Sequence, residues 1–593
     1  MRLRHRAGAT IAAVLISGPL AAWTDAGDTQ PRVIYLDDDA QLGGDGTSWD
    51  AAHRFLQDAL TDAAGALPAE IRTAGGIYPP DRDSSNPTGS GDRLSTYVLI
   101  DQVTLAGGYV GLASDAPAER DRRDTVAFAA VLTGDLLGDD DLDGPVFDGD
   151  TKADNAYHVI ESWNNDNTAI VDGFVIIGGY ADRPFDQNWW PARRDDSAGG
   201  ALLADSDAVF RGCWFQDNHG SADASIFVAL SGLFAGAEAG AGAVMIAGGA
   251  PTIEDCVFEF NSANRFGGAL TIHRTAARIT RCRFIGNIVG GGAFLDSSYG
   301  GAIGDSSLDS GSPNRARVAA CEFINNTAAG SGGGGAIFTI FSDTIYANSV
   351  FLANHADGGG GGVLADNIAN VAFHNCAIVG NTSNTRAAGV YEFSKVGDTY
   401  AFINTVVWGN RSKESIAPLN ENMVSDGGNF ALYDTIVENA FSLPIFAFDV
   451  SRLMDSDPVF ADPVGPDEVV YSGDEDLRSG PGSAMIDAGA SFRVPAWLTT
   501  DLDAGPRRID AAWVPDTGVG PTPIVDIGPH EAGPACSGAD LAAPFGTLNF
   551  FDVVAYIAAY NAMDPLADLA APFGSLNFFD VAEYIARFNA GCP

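Results

Sequence analysis

The sequence predicts an all-β fold: a right-handed, single-stranded parallel β-helix with an N-terminal capping helix, followed by a small C-terminal α-helical module. Three observations predict it. A motif Cys-x-Phe-x-x-Asn recurs at Cys213/Phe215/Asn218, Cys256/Phe258/Asn261, Cys282/Phe284/Asn287 and Cys321/Phe323/Asn326, and in looser form at Ser349/Phe351/Asn354, Cys376/Ile378/Asn381 and Thr405/Val407/Asn410. A second signature, Gly-Gly-Ala-Leu or a relative, precedes the motif at Gly199–Leu202, Gly267–Leu270, Gly300–Ile303, Gly334–Ile337 and Gly361–Leu364. Between them, apolar and polar residues alternate over three to five positions, as in Ala277 to Phe284, which is the two-residue period of a short strand.

Composition narrows the classes first. Against 33 Lys plus Arg the 593-residue chain sets 77 Asp plus Glu, a formal charge of −44 that argues against nucleic-acid binding by a basic surface. An apolar fraction of 46% is too high for an acidic disordered chain, and 71 glycines without a Gly-X-Y period point to many tight corners. At the N-terminus Arg2, Arg4 and Arg6 precede an apolar run from Ala7 to Leu20 and the small residues Ala21-Ala22, so residues 1–26 are expected to be a secretory signal peptide, without a lipobox cysteine. No later stretch offers some 18 uninterrupted apolar residues, so a secreted chain with no membrane span is expected.

The next element is a plug for the open end of the cylinder. Trp49, Ala52, Phe55, Leu56, Ala59, Leu60 and Ala63 fall at helical spacing after Ser48, a candidate N-cap. The coils come after it. The motif asparagines stand 43, 26, 39, 28, 27 and 29 residues apart, a base unit with two longer insertions, and Phe174/Ile176/Gly179 reads as one more unit lacking its Asn. Short strands at a fixed period cannot bury a face alone, so they must stack as coils rising about 4.8 Å each. Phe, Ile and Val are expected to stack inside, with Asn at a corner where it tolerates a left-handed backbone and bonds along its ladder. Cys213, Cys256, Cys282, Cys321 and Cys376 are read as a buried ladder, with disulfides between coils left open, and no C-x-x-C pair suggests zinc.

The Gly-Gly-Ala-Ile/Leu and Phe-x-x-Asn repeats resemble those of the polymorphic outer membrane protein family, whose pectin-lyase-like β-helices serve in adhesion. Tyr35 to Asp39 and Gly44 to Trp49 resemble the opening of secreted bacterial β-helix proteins. Asp457 to Phe460, Pro481 to Gly489, Asp501 to Asp503 and Val525 to Gly528 resemble the closing coils of "choice-of-anchor" surface proteins. On this basis the β-helix is placed at 33–532. Residues 533–593 hold a duplicated unit: Asp540 to Val553 recurs as Asp568 to Val581, each copy running into an apolar helix and the chain ending Gly591-Cys592-Pro593. This resembles a planctomycete-type dockerin-like anchor, which implies calcium loops and a cohesin-like or cell-surface anchoring partner. Asp540, Asn549, Asp552, Asp568, Asn577 and Asp580 are the candidate calcium ligands, although Ala542 and Pro544 stand where oxygen ligands belong. The rival meaning of Asn549-x-x-Asp552 and Asn577-x-x-Asp580 is a helix-starting capping box. Phe550, Val554 and Ile557, matched by Phe578, Ala582 and Ile585, are expected to form the helix-pair core, closed by a Cys536–Cys592 disulfide contributing about 3 to 4 kcal/mol.

Of the strings Asn-Thr-Asp, Asp-Asp, Gly-His-Gly and Arg-Ile-Lys that hydrolases of this fold carry, only Asp-Asp occurs, in acidic loops such as Asp139 to Asp141. Trp189, Trp190, Arg193, Arg194, Asp195 and Asp196 are the candidate sugar-binding group, since two aromatic faces with charged pairs can stack and grip a sugar ring; a loop packed on the wall is the structural alternative. Asp135, Asp139, Asp141 and Asp143, between Gly134 and Gly144, form a second cluster able to bind calcium, with a solvated acidic loop as the favoured alternative. The expected function is adhesion or polysaccharide contact by a surface-tethered rigid wall, and the alternative is a polysaccharide lyase or glycoside hydrolase using that wall as a cleft. Carboxylates with arginine on adjacent coils of one outer face would favour the enzyme.

Overall fold

The computed structural model describes residues 30–140, 151–182, 198–220, 240–290, 298–307, 313–366, 370–393, 399–413, 421–440, 447–480, 482–511, 514–533, 539–542, 548–563, 567, 569–570 and 576–590. All but two of their strands form three parallel sheets of 23, 10 and 8 strands, here sheets A, B and C, that wind as a β-helix; Phe460–Asp462 and Asp476–Ser479 pair antiparallel apart from them. The register is the one the motif sets: Phe215, Phe258, Phe284, Phe323 and Phe351 face one another on successive coils, with Ile176 before them and Ile378 and Val407 after. Their rings stack with centroids 4.8 to 4.9 Å apart and planes within 5°. The signal peptide of residues 1–26 lies outside the described residues.

The motif asparagines form a continuous internal ladder. Asn261, Asn287, Asn326, Asn354, Asn381 and Asn410 each donate Nδ2 to the Oδ1 of the next, at 2.8 to 3.0 Å, the last to Asn422. Each Nδ2 also reaches a carbonyl of the preceding coil at 2.9 Å, as Asn287 does to Phe258. The left-handed backbone expected at these asparagines falls one residue earlier, on Asp217, Phe260, Gly286, Asn325, Ala353, Gly380 and Gly409. A second left-handed corner precedes each motif cysteine, at Gly212, Asp255, Arg281, Ala320 and Asn375. Each Cys-x-Phe-x-x-Asn unit is therefore a three-residue strand between two one-residue bends. The five cysteines are buried free thiols, which excludes disulfides between them, and burial pushes the Cys376 thiol up to about 12.

The Gly-Gly signatures divide two tasks. Gly267, Gly300, Gly334 and Gly360 take positive φ, whereas a Cβ on Gly268, Gly301 or Gly335 would sit 2.1 to 2.2 Å from the carbonyl oxygen of the glycine one coil on. Pairing of Ala201 with Val244 and of Val244 with Leu270, and of Ile337 with Val363, shows that the first and last signatures align one residue away from the sequence-based match. At both, a third small residue, Ala198 or Gly360, makes the two registers equivalent in sequence. The capping element also differs. Ser48 caps a short 3-10 turn, Trp49–Ala51, and helix α1 begins only at Leu56 and runs to Ala64. Leu56, Ala59, Leu60 and Ala63 plug the first coil, while Trp49 packs outside it against Tyr35 and Tyr109.

The coils end with the strand Ala447–Met454, and the segment beyond it does not form the expected closing coils. The described residues between 456 and 532 form instead a strap that folds back over the outer face of sheet A. Phe460, Leu477, Met485 and Ile527 cover Val350, Leu352, Val379 and Val406, and Val494, Leu498 and Val525 cover Ala319 and Ala347. Left-handed corner asparagines hold it: Asn348 Nδ2 donates to the Thr500 carbonyl, Asn375 Nδ2 to that of Asp526 (3.2 Å), and Asn404 Oδ1 accepts from Ala490 N (2.6 Å). Within the strap a fully buried Arg507 pairs with Glu531 at 3.0 Å. Truncating one ring of the aromatic stack, Phe284→Ala, should cost about 3 to 5 kcal/mol in denaturant unfolding, whereas the exposed Arg278→Ala should stay within about 0.5 kcal/mol. Equal effects would contradict the stack.

Candidate functional site

Trp189, Trp190, Arg193, Arg194, Asp195 and Asp196 lie outside the described residues, as do Asp568, Cys536 and Cys592. Of the acidic loop, Asp141 and Asp143 also lie outside; Asp135 and Asp139 converge with Asp154, their oxygens within 4.8 Å. There Asp135 accepts from Gly138 N (2.6 Å) and Asp140 N (3.2 Å), and Asp154 from Leu137 N (3.2 Å), so these carboxylates hold the turn.

At the C-terminus two helices, α2 (Phe550–Asn561) and α3 (Phe578–Ala590), repeat one arrangement. Asp552 is buried, with one oxygen accepting from Leu541 N and Ala542 N (both 2.8 Å) and the other from Asn549 N (2.7 Å). Asn549 Oδ1 accepts from Phe551 N (2.7 Å), completing a capping box. Asp580 repeats this with Ala570 N (2.8 Å) and Asn577 N (2.7 Å), and these amides hold its carboxyl below the usual range. The Asn549, Asp552, Asn577 and Asp580 oxygens that the sequence offers to calcium thus accept backbone amides, and Asp540, the remaining described candidate, is buried. The carboxylate does the folding work a metal does in a calcium loop.

The helix-pair core also lies on a different face from the one expected. Tyr556 and Tyr584 stack at 3.9 Å between Ala539 and Ala567. Phe550, Phe551, Phe578 and Phe579 stand 62 to 76% exposed, and Val554, Ile557 and Ile585 are exposed beside them. Apolar helix residues spaced three and four apart were available on both faces, and the tyrosines took the inside.

A cavity of about 600 Å³ lies between helix α1, the segment 80–98 and the start of the strand Ile160–Trp163, and nothing local in the sequence marks it. Gln57 Nε2 ties α1 to both ends of that segment, at the carbonyls of Pro80 (2.8 Å) and Thr96 (3.0 Å). Arg93 lies 4.2 Å over the Tyr157 ring and is fixed by Asn155 O (2.5 Å) and Asp182 (2.6 Å). Among the lining groups, His158 Nε2, Asp81 Oδ1 and Thr96 Oγ1 are buried without a hydrogen-bond partner, His158 having its Nδ1 on the Ala198 carbonyl. Glu161, held by Trp163 Nε1 (2.8 Å), completes a polar lining beside one aromatic face. Its residues come from three separated segments, so no spacing pattern could mark them.

The outer face of sheet A that the strap leaves open carries carboxylates and arginines on adjacent coils. They are spent on one another: Arg211 on Asp172 (2.6 Å), Arg281 on Asp255 (2.7 Å) and Glu254 (3.1 Å), and Arg283 on Glu322 (2.5 Å). Among the described residues no helix is long and apolar enough to cross a membrane.

No protein-family model matches the chain, and no curated protein matches its sequence. Among solved structures it is similar to the pectate lyase Pel9A, at 13% identity and a TM-score of 0.40 over 85% of this chain and 97% of that one. It is also similar to PfbA, a surface adhesin of Streptococcus pneumoniae, at 14% identity and a TM-score of 0.28 over 68% and 86%. The fold itself is established by the parallel pairing of the coils.

If Asp552 organises its loop in place of a metal, Asp552→Asn, which replaces one of the two acceptor oxygens by an N–H₂ facing a backbone N–H, should open residues 539–563 to limited proteolysis with or without calcium. Chelation of the unsubstituted protein should not. Opening by chelator alone would restore calcium to these loops.

Proposed function

We propose that this is a secreted, surface-associated β-helix protein that contacts polysaccharide and is tethered through its C-terminal helix pair. The observation that carries the reading is the N-terminal cavity. Its volume suits one or two sugar rings, Tyr157 and the Arg93 guanidinium stacked on it line one side, and Asp58 and Glu161 in the lining offer carboxylate oxygens to ring hydroxyls. The duplicated exposed phenylalanines of α2 and α3 supply the tether, since an apolar patch of that kind on a small module suits a protein partner, here a cohesin-like or other surface-anchoring one.

A second reading, a polysaccharide lyase or glycoside hydrolase, draws on the carboxylate and arginine rows of the open wall. One experiment separates the two. On an array of bacterial and plant polysaccharides the protein should retain a glycan without releasing reducing ends or unsaturated products, and Tyr157→Ala or Glu161→Gln should weaken retention about tenfold, the equivalent of roughly 1.4 kcal/mol. Replacing Phe550, Phe551, Phe578 and Phe579 by serine should free the protein into the medium with glycan retention intact. Undiminished retention by the cavity variants contradicts the binding site, and product release favours the enzyme.

A further inference from the structure

The strap holds a charged cluster that neither the cavity nor the helix pair uses. Asp487, Asp510 and Asp516 each direct an oxygen into one space, the three within 4.8 Å of one another. Asp510 and Asp516 are exposed, whereas Asp487 is wholly buried. One Asp487 oxygen, Oδ2, accepts from Ala511 N (3.2 Å); the other, Oδ1, is buried with no hydrogen-bond partner. The cluster at Asp135 differs, because its half-buried members, Asp135 and Asp154, accept from amides of their own turn and its third member, Asp139, is exposed. A buried carboxylate with one unpartnered oxygen, set within 4.8 Å of two further carboxylates, is costly unless a cation joins them.

The backbone around Asp487 is already folded to present it. The Asp487 carbonyl accepts from Thr517 N (3.0 Å) and Gly518 N (2.9 Å), and its own N–H donates to Asp526 Oδ1 (2.7 Å). We propose that Asp487, Asp510 and Asp516 bind a calcium ion, which clamps the exposed carboxylates onto the buried one and locks the strap. Three carboxylates from a loop and a buried turn make a hard, all-oxygen donor set whose remaining positions water and carbonyl oxygens can fill, as calcium's irregular coordination permits and magnesium's strict octahedron disfavours.

The test uses the full chain and calcium alone. In equilibrium dialysis the unsubstituted protein should bind one more calcium than the Asp510→Asn/Asp516→Asn variant, whose altered side chains are exposed and lie outside the packed face of the strap. Each single substitution should weaken that site at least tenfold. In hydrogen exchange, calcium should slow the Thr517 and Gly518 amides of the unsubstituted protein and leave those of the double variant unchanged. Equal calcium stoichiometry, or slowing of these amides that survives the double substitution, would overturn the site. Glycan retention is a separate readout, so failure here leaves the cavity reading standing.

Discussion

A buried asparagine amide brings two donors and an oxygen with two lone pairs into a packed interior, where each unsatisfied atom costs on the order of 1 to 3 kcal/mol. In the shaft all of these are met at once: Asn287 donates to Phe258 O and Asn326 Oδ1, and its own Oδ1 accepts from the amide and side chain of Asn261. That solution exists only when the next coil lies directly above with the same register. The phenylalanine stack obeys the same rule, because parallel rings near 4.8 Å leave no room for a slipped coil. Cysteine fits as a small side chain whose thiol can rest against a neighbouring carbonyl, as Cys256 does at Glu254 O (3.2 Å).

From that constraint the rest of the molecule takes its form. A stack of identical coils has raw ends and a long outer wall. Helix α1 covers the first coil and in doing so forms one side of the cavity. The strap covers the wall over the later coils, and the corner residues change with it: Asn348, Asn375 and Asn404 stand where the strap docks, while Asp255 and Arg281 occupy the same corner on open coils and pair with each other at 2.7 Å. A left-handed corner tolerates asparagine in either setting, so the choice between asparagine and a charge reflects the surroundings outside the wall.

Much of the shaft was legible in the sequence because its information is local and repeated: Cys, Phe and Asn at fixed offsets set strand, bend and ladder. The illegible features depended on contacts between distant segments. The left-handed residue before each asparagine has no fixed identity, being Asp217, Phe260, Gly286 or Ala353. The Gly-Gly register slipped at both ends because neighbouring small residues offer equivalent alignments. Closing-coil motifs from Asp457 to Gly528 carry strand-like composition yet bury their apolar residues against the wall from outside. In the C-terminal pair, sequence periodicity named the apolar positions but not which face Tyr556 and Tyr584 would claim. The proposed sugar-ring cavity is assembled from three separated segments, and the strap carboxylates join Asp487 to a later loop carrying Asp510 and Asp516, so only the folded geometry brings them together.

The claim under all of this is that the asparagine amides bind the coils to one another. Asn287→Asp tests it most directly, since it keeps the shape while removing both donors. Equilibrium unfolding should show a loss of about 3 kcal/mol or more, far beyond a surface change. An Asn287→Asp protein that unfolds at the same denaturant concentration as the unsubstituted one would show that the ladder is incidental to the stack.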